Sequence, residues 1–201
     1  LCELLVRKKI RNQFGGNLQA FVSGGGALDQ NIGEFLNSIG LPTLQGYGLT
    51  EASPVVSCNL PDLIKVDSVG PPFRTNKVKI AQDGEILVKG ENVMLGYWNL
   101  KDETEKTIKD GWLHTGDIGE FDKNNYLKIT DRKKDIIINL GGDNISPSKI
   151  ENILCLNEFI KQSFVYGDKR NYLVALLVTD KEINKDKIKL IIENINKSLT
   201  L

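Results

Sequence analysis

Two apolar runs that each end in glycine, with an amphipathic stretch between them, constrain this chain most. Residues 18–23 (LQAFVS) run into Gly24-Gly25-Gly26, and residues 41–45 (LPTLQ) run into Gly46. Between them, residues 28–39 place Ile32, Phe35, Leu36 and Ile39 at helical spacing and stop at Gly40. Strand, loop, helix, strand is an α/β unit, and such units bind ligands at the carboxyl ends of their strands. A basic amphipathic helix is predicted ahead of it over residues 1–14, with Leu1, Leu4 and Leu5 on one side and Gly15-Gly16 as its stop.

From Val66 the hydrophobic period shortens towards two. Residues 77–81, 85–89, 114–121 and 126–130 are predicted as strands, turned at Asp83-Gly84 and in the cluster 122–125. A short helix is expected over 102–109. Together these predict a small antiparallel sheet or barrel. After Arg132 a strand over 135–140 meets Gly141-Gly142, and Ser146-Pro147 opens a helix that runs through Leu154. Strands over 162–166 and 172–179 and a last helix carrying Ile188, Ile191, Ile192, Ile195 and Leu199 complete an α+β piece. The expected fold class is therefore mixed α/β and α+β.

Composition narrows the function. The 26 basic and 26 acidic side chains cancel, which gives no long-range field for nucleic acid. No apolar run approaches the ~20 residues that cross a bilayer. Three widely spaced cysteines and a single histidine, His114, argue against a disulfide framework and against a zinc site. A cytoplasmic compartment is expected, with peripheral membrane association left open. The chain starts at Leu1 and its one methionine is Met94, so a fragment or an unusual start is expected.

The residues with chemistry cluster in the loops. In Gln45-Gly46-Tyr47-Gly48-Leu49-Thr50-Glu51, glycines admit close backbone approach and an aromatic can stack on a base, worth ~1–3 kcal/mol. Thr50 offers a hydroxyl to a phosphate oxygen, and Glu51 a hard carboxylate to Mg²⁺. The same stretch also reads as a glycine-rich turn with a packed tyrosine. Ser23 to Leu28 also admits a plain strand-to-helix turn, and Asp117 a β-turn residue, each as the lesser reading. The run Asp131-Arg132-Lys133-Lys134-Asp135 reads as a solvated charged segment. His114 reads as a packing or surface residue.

Taken in order and spacing, these blocks resemble the adenylate-forming (AMP-binding) ligases, and within them the long-chain fatty acid–CoA ligases of bacteria. Gln45 to Glu51 with Ser53-Pro54-Val55-Val56 is similar to that family's adenine and Mg²⁺ motif. The resemblance implies Tyr47 on adenine, Thr50 on the α-phosphate and Glu51 on the metal, with Thr50 and Glu51 counted as catalytic. It implies nucleotide contacts for Gly25, Gly26, Gln45 and Gly46. The block Gly84 to Tyr97 resembles one with a mostly structural role. Gly111 to Asp117 resembles the motif whose aspartate holds the ribose hydroxyls, a task suited to an acceptor-only carboxylate. Arg132 is implied at the ribose and Lys134 at a domain hinge. Gly141 to Pro147 resembles the loop beside the pantetheine tunnel.

The resemblance implies an incomplete α/β adenylate-binding unit with its small sheet over residues 1–132, then a truncated, mobile α+β subdomain over 133–201. It implies fatty acid, ATP with Mg²⁺, and CoA as substrates, with AMP released. The Ser/Thr/Gly-rich phosphate loop and the C-terminal lysine of the family are not among these residues, and Ile138 stands where lysine is usual. Losing one such electrostatic group costs ~10²–10³ in rate. The expectation is a segment inactive by itself that works with a partner chain. Two alternatives are a non-catalytic remnant that at most binds adenine nucleotide, and a ligase that uses a carrier protein.

Overall fold

The computed structural model describes residues 6–179 and 183–199. The chain divides after Thr130 into two units, Leu1–Thr130 and Asp131–Leu201. The helix predicted over residues 1–14 is seen as α1 (Lys8–Gln13), and Leu1, Leu4 and Leu5 lie outside the described residues.

The α/β unit forms as predicted in order, though not in every packing contact. β1 (Phe21–Ser23), α2 (Gln30–Ser38) and β2 (Thr43–Gly48) follow one another, and β1 lies parallel to β2 with Ser23 beside Gln45. Asp29 caps α2 by accepting the Ile32 N–H at 3.0 Å. The apolar face read for this helix is covered only in part, with Leu36 and Ile39 half-buried. Gly33 is the buried residue, and a Cβ there would lie 2.5 Å from Cγ1 of Val66. The helix thus comes closest at its smallest side chain, and Ile32 and Phe35 are left exposed.

A strand with no signal in the sequence, β3 (Val55–Cys58), pairs antiparallel with β2, Tyr47 opposite Ser57. Its presence draws β2 on through Gly48, three residues past the predicted end. The second sheet contains β4 (Asn76–Ile80), β5 (Glu85–Gly90), β6 (Ile108–Lys109), β7 (Trp112–Phe121) and β8 (Leu127–Arg132). Its order is β4-β5-β7-β6, with β8 also on β7, and α3 (Lys101–Thr107) leads into β6. Ala52, Val56, Ile86, Val88, Leu113 and Leu127 are buried in one cluster. Each fully buried Val, Leu or Ile contributes about 1.5–3 kcal/mol. Because Ala52 and Val56 belong to this cluster, the chain on both sides of residues 53–55 is fastened to the sheet.

In the second unit, β9 (Ile137–Ile138) pairs with β10 (Asn144–Ile145), and α4 (Pro147–Cys155), β11 (Ile160–Tyr166), β12 (Val174–Thr179) and α5 (Lys185–Leu199) follow. Ser146 caps α4 by accepting the Lys149 N–H, with Pro147 in the first turn. Ile137, Leu154, Ile160 and Val165 form its core, joined by Ile191, Ile192 and Ile195 of α5.

Candidate functional site

The site is built on the carboxyl end of β2. The Gln45 side chain is buried; its Oε1 accepts the Leu28 N–H at 3.3 Å and its Nε2 donates to the Val66 carbonyl. Gln45 therefore ties the glycine loop of residues 24–26 to the strand. Gly25 has φ +80°, a conformation that side chains with a Cβ rarely adopt, and at Gly25 and Gly26 an added Cβ would meet nothing within 4 Å. The backbone there is open to solvent or to a ligand.

The glycines flanking Tyr47 fit the reading of this stretch as a glycine-rich turn. A Cβ on Gly48 would lie 1.8 Å from the Pro54 carbonyl oxygen, and one on Gly46 3.3 Å from that of Ser57. The close approach they permit is to the protein's own chain at β3 and the turn before it.

Tyr47 is half-buried and its hydroxyl donates to Oδ2 of Asp117 at 2.6 Å. Asp117 itself is buried. Its position follows from an irregularity in β7: Leu87 pairs with His114 but Glu85 with Ile118, so the β7 segment 115–117 faces Ile86 alone. Gly116 takes φ +72° there, and its N–H donates to Oε1 of Glu85 at 2.9 Å. Such bulges re-aim side chains, and this one brings Asp117 to Tyr47. Glu85, also buried, has His114 Nδ1 3.0 Å from its other oxygen. His114 is thus a packing residue of the bulge. Glu85 has no signal in the sequence beyond its place in a strand.

Thr50 and Glu51 open a one-turn 3₁₀ helix, Thr50–Ala52, and Thr50 is exposed. Three contacts from residues 92–97 fix this turn. Asn92 Nδ2 donates to the Ala52 carbonyl at 2.7 Å, the Met94 N–H to the Glu51 carbonyl at 2.8 Å, and the Tyr97 hydroxyl to Glu51 Oε1 at 2.8 Å. Burial, and then the Glu51 carboxylate beside it, push the Tyr97 phenol above its usual range. Among the described residues no three His, Cys, Asp or Glu side chains converge as a metal cage. A single carboxylate suits Mg²⁺ that arrives on phosphates, since that ion binds through one or two carboxylates and keeps water and phosphate ligands.

One unit therefore brings together Gly25, Gly26, Gln45, Gly46, Tyr47, Thr50, Glu51 and Asp117. Arg132 and Lys134 fall in the other unit, exposed, where the Asp135 and Ile136 N–H groups return to the Arg132 carbonyl.

A family model for the AMP-binding enzymes matches residues 1–98, and one for the AMP-binding enzyme C-terminal domain matches residues 134–200. The chain belongs to the AMP-binding enzymes. A long-chain-fatty-acid–CoA ligase of Mycobacterium bovis is 41% identical over 178 residues, which is 89% of this chain and 30% of that protein. A 2-succinylbenzoate–CoA ligase of Bacillus cereus is 37% identical over 86% of this chain and 39% of its own length. Among solved structures, the O-succinylbenzoate coenzyme A synthetase of Bacillus subtilis in complex with AMP superposes with a TM-score of 0.77 at 31% identity, over 87% of this chain and 39% of that one. This member of the AMP-binding enzymes thus spans about a third of the length of the curated relatives it matches. No helix among the described residues is long and apolar enough to cross a membrane.

Proposed function

We propose that these residues are the adenosine-binding and hinge part of a long-chain fatty acid–CoA ligase, which makes an acyl-adenylate from ATP and then passes the acyl group to CoA. The hydrogen bond between Tyr47 and Asp117 supports this best, because it places the residue assigned to adenine beside the residue assigned to ribose. Residues 1–132 act as the later part of the large AMP-binding domain, and residues 133–201 as part of the mobile C-terminal subdomain. Tyr47 stacks on adenine between the open backbone at Gly25-Gly26 and the strand end at Gln45-Gly46. The Asp117 carboxylate accepts from the vicinal ribose hydroxyls, and Arg132 has the ribose role that the resemblance implies for it. Thr50 donates to the α-phosphate and Glu51 holds Mg²⁺, which supplies charge neutralisation at the reacting phosphates. Lys134 is the hinge at which the subdomain rotates for the CoA step. The fatty acid, and a partner chain supplying the phosphate loop and the catalytic lysine, complete the reaction.

By themselves these 201 residues bind AMP in the ~mM range of a half-site and form no acyl-adenylate. Calorimetry with AMP should show weaker binding for Tyr47→Ala and for Asp117→Ala, and pyrophosphate exchange with medium- and long-chain acids should stay at background. Binding that ignores both substitutions would overturn the site. Absent binding would leave the remnant reading, and robust exchange would remove the need for a partner.

A further inference from the structure

The contacts around Glu51 do more than brace a turn. Residues 92–97 hold its backbone at the Glu51 and Ala52 carbonyls, and then reach its side chain through one hydroxyl. That hydroxyl is itself held in place. The Tyr97 N–H donates to Thr104 Oγ1 at 2.9 Å, and Thr104 Oγ1 donates in turn to the Leu100 carbonyl at 2.9 Å. Gly96 permits this approach, since a Cβ there would lie 2.7 Å from Thr104 Cγ2. Tyr97 is thereby anchored to α3, while its hydroxyl reaches the turn at residues 50–52. Oε2 of Glu51, by contrast, has no hydrogen-bond partner among the described residues.

A carboxylate at the start of an exposed turn would ordinarily rotate among several orientations, and ordering it opposes any ligand that needs one of them. A neutral phenol donating to one oxygen removes that freedom without neutralising the carboxylate, and leaves the other oxygen to a cation. Building on the ligase reading above, we propose that Tyr97 is a positioning residue for Glu51: its hydroxyl holds Oε1 so that Oε2 is the oxygen offered to nucleotide-borne Mg²⁺. The block from Gly84 to Tyr97, structural by resemblance, then has one member acting on the metal side of the site.

The test compares ATP affinity with excess Mg²⁺ and with EDTA, followed by NMR titration of the 201-residue chain. The informative quantity is the ratio of the two affinities, because a merely loosened fold lowers both alike. In the parent, Mg²⁺ tightens ATP; Glu51→Gln removes that gain. Tyr97→Phe keeps the ring and deletes only the hydroxyl, and should cut the gain by roughly three- to tenfold, the net scale of an ordinary hydrogen bond. Tyr126→Phe is the control, since its hydroxyl bonds the Leu63 carbonyl away from this turn, and should leave the ratio unchanged. A full Mg²⁺ gain in Tyr97→Phe, with AMP binding still dependent on Tyr47 and Asp117, would overturn this role and spare the site. A parent that does not bind AMP would overturn the ligase reading and this role together.

Discussion

At the residue scale, the two glycines around Tyr47 show how one pattern can arise from two causes. Gly-Tyr-Gly at a strand end is what close ligand approach requires, and it is equally what a tight strand-to-turn junction requires. Both causes can be read in the sequence, but neither the strand β3 nor the Pro54 carbonyl is visible locally, so the choice between them was not legible. The two causes make different stability predictions. At Gly48 a methyl group would fall inside the contact distance of a backbone carbonyl that sits in a turn fixed on both sides by the core. Gly48→Ala should therefore cost about 1–3 kcal/mol, the range for overpacking, or more if the turn cannot yield. At Gly46 the nearest atom is 3.3 Å away, so a shift of a few tenths of an ångström suffices and Gly46→Ala should cost clearly less. Urea unfolding of the two variants decides it, and equal midpoints would contradict the packing argument. Asp117 and Tyr47, in contrast, were legible as residue types, but the bulge that joins them was not.

The element scale was read best where sequence alternation and turn chemistry agree. β4, β7 and β8 follow period-two patterns in part, β5 carries the continuous apolar run Ile86-Leu87-Val88, and Asp83-Gly84 and residues 122–125 mark the turns. The strand predicted over 135–140 shrinks to Ile137–Ile138, because Asn139 already belongs to the next turn. Asn139 Oδ1 accepts the Asp143 N–H, its Nδ2 donates to Asp143 Oδ2, and Gly142 takes φ +84°. Two-residue strands such as β6, β9 and β10 are too short to carry a period. The turn between β7 and β8 supports a pH prediction. Asp122 Oδ1 accepts the Asn124 and Tyr126 N–H groups, while Oδ2 pairs with Lys65, which also lies 4.2 Å from the Tyr126 ring centre. Lys65, and then the turn N–H groups, lower the Asp122 carboxyl from 3.8 to about 2. A carboxyl depressed on folding adds stability above its unfolded value and loses it as pH falls through the folded value. The parent should thus lose stability between pH 3.8 and about 2. Asp122→Asn keeps an acceptor for the turn but has no charge to lose, so its stability should fall less steeply across that window. Denaturant midpoints at pH values spanning the window measure both slopes, and parallel slopes would contradict the assignment.

At the scale of the whole molecule, each unit has its own core, and the second pairs one well-packed sheet face with one bare one. The strands β11 and β12 were legible, but a single sequence cannot tell which of two apolar faces is inward. The register answers this. Val165 and Leu177 turn to the core with α4 and α5, which leaves Phe164 opposite Leu176 and Tyr166 opposite Val174 on the other face. Phe164 is 61% exposed and Leu176 73% exposed, with Tyr166, Val174 and Val178 exposed beside them. A contiguous apolar face on a two-stranded sheet is a site of association, either with a partner that covers it or with further copies of itself. The chain by itself should therefore bind a hydrophobic dye while still folded and associate as its concentration rises. Phe164→Lys with Leu176→Glu puts opposite charges directly across the ladder, an arrangement worth about 0.2–1 kcal/mol relative to an alanine pair. Neither side chain contributes to the core, so the double variant should keep its unfolding midpoint while dye fluorescence and sedimentation-detected association both fall. Unchanged dye binding would mean that this face is covered in solution, and a large loss of stability would mean that it is packed.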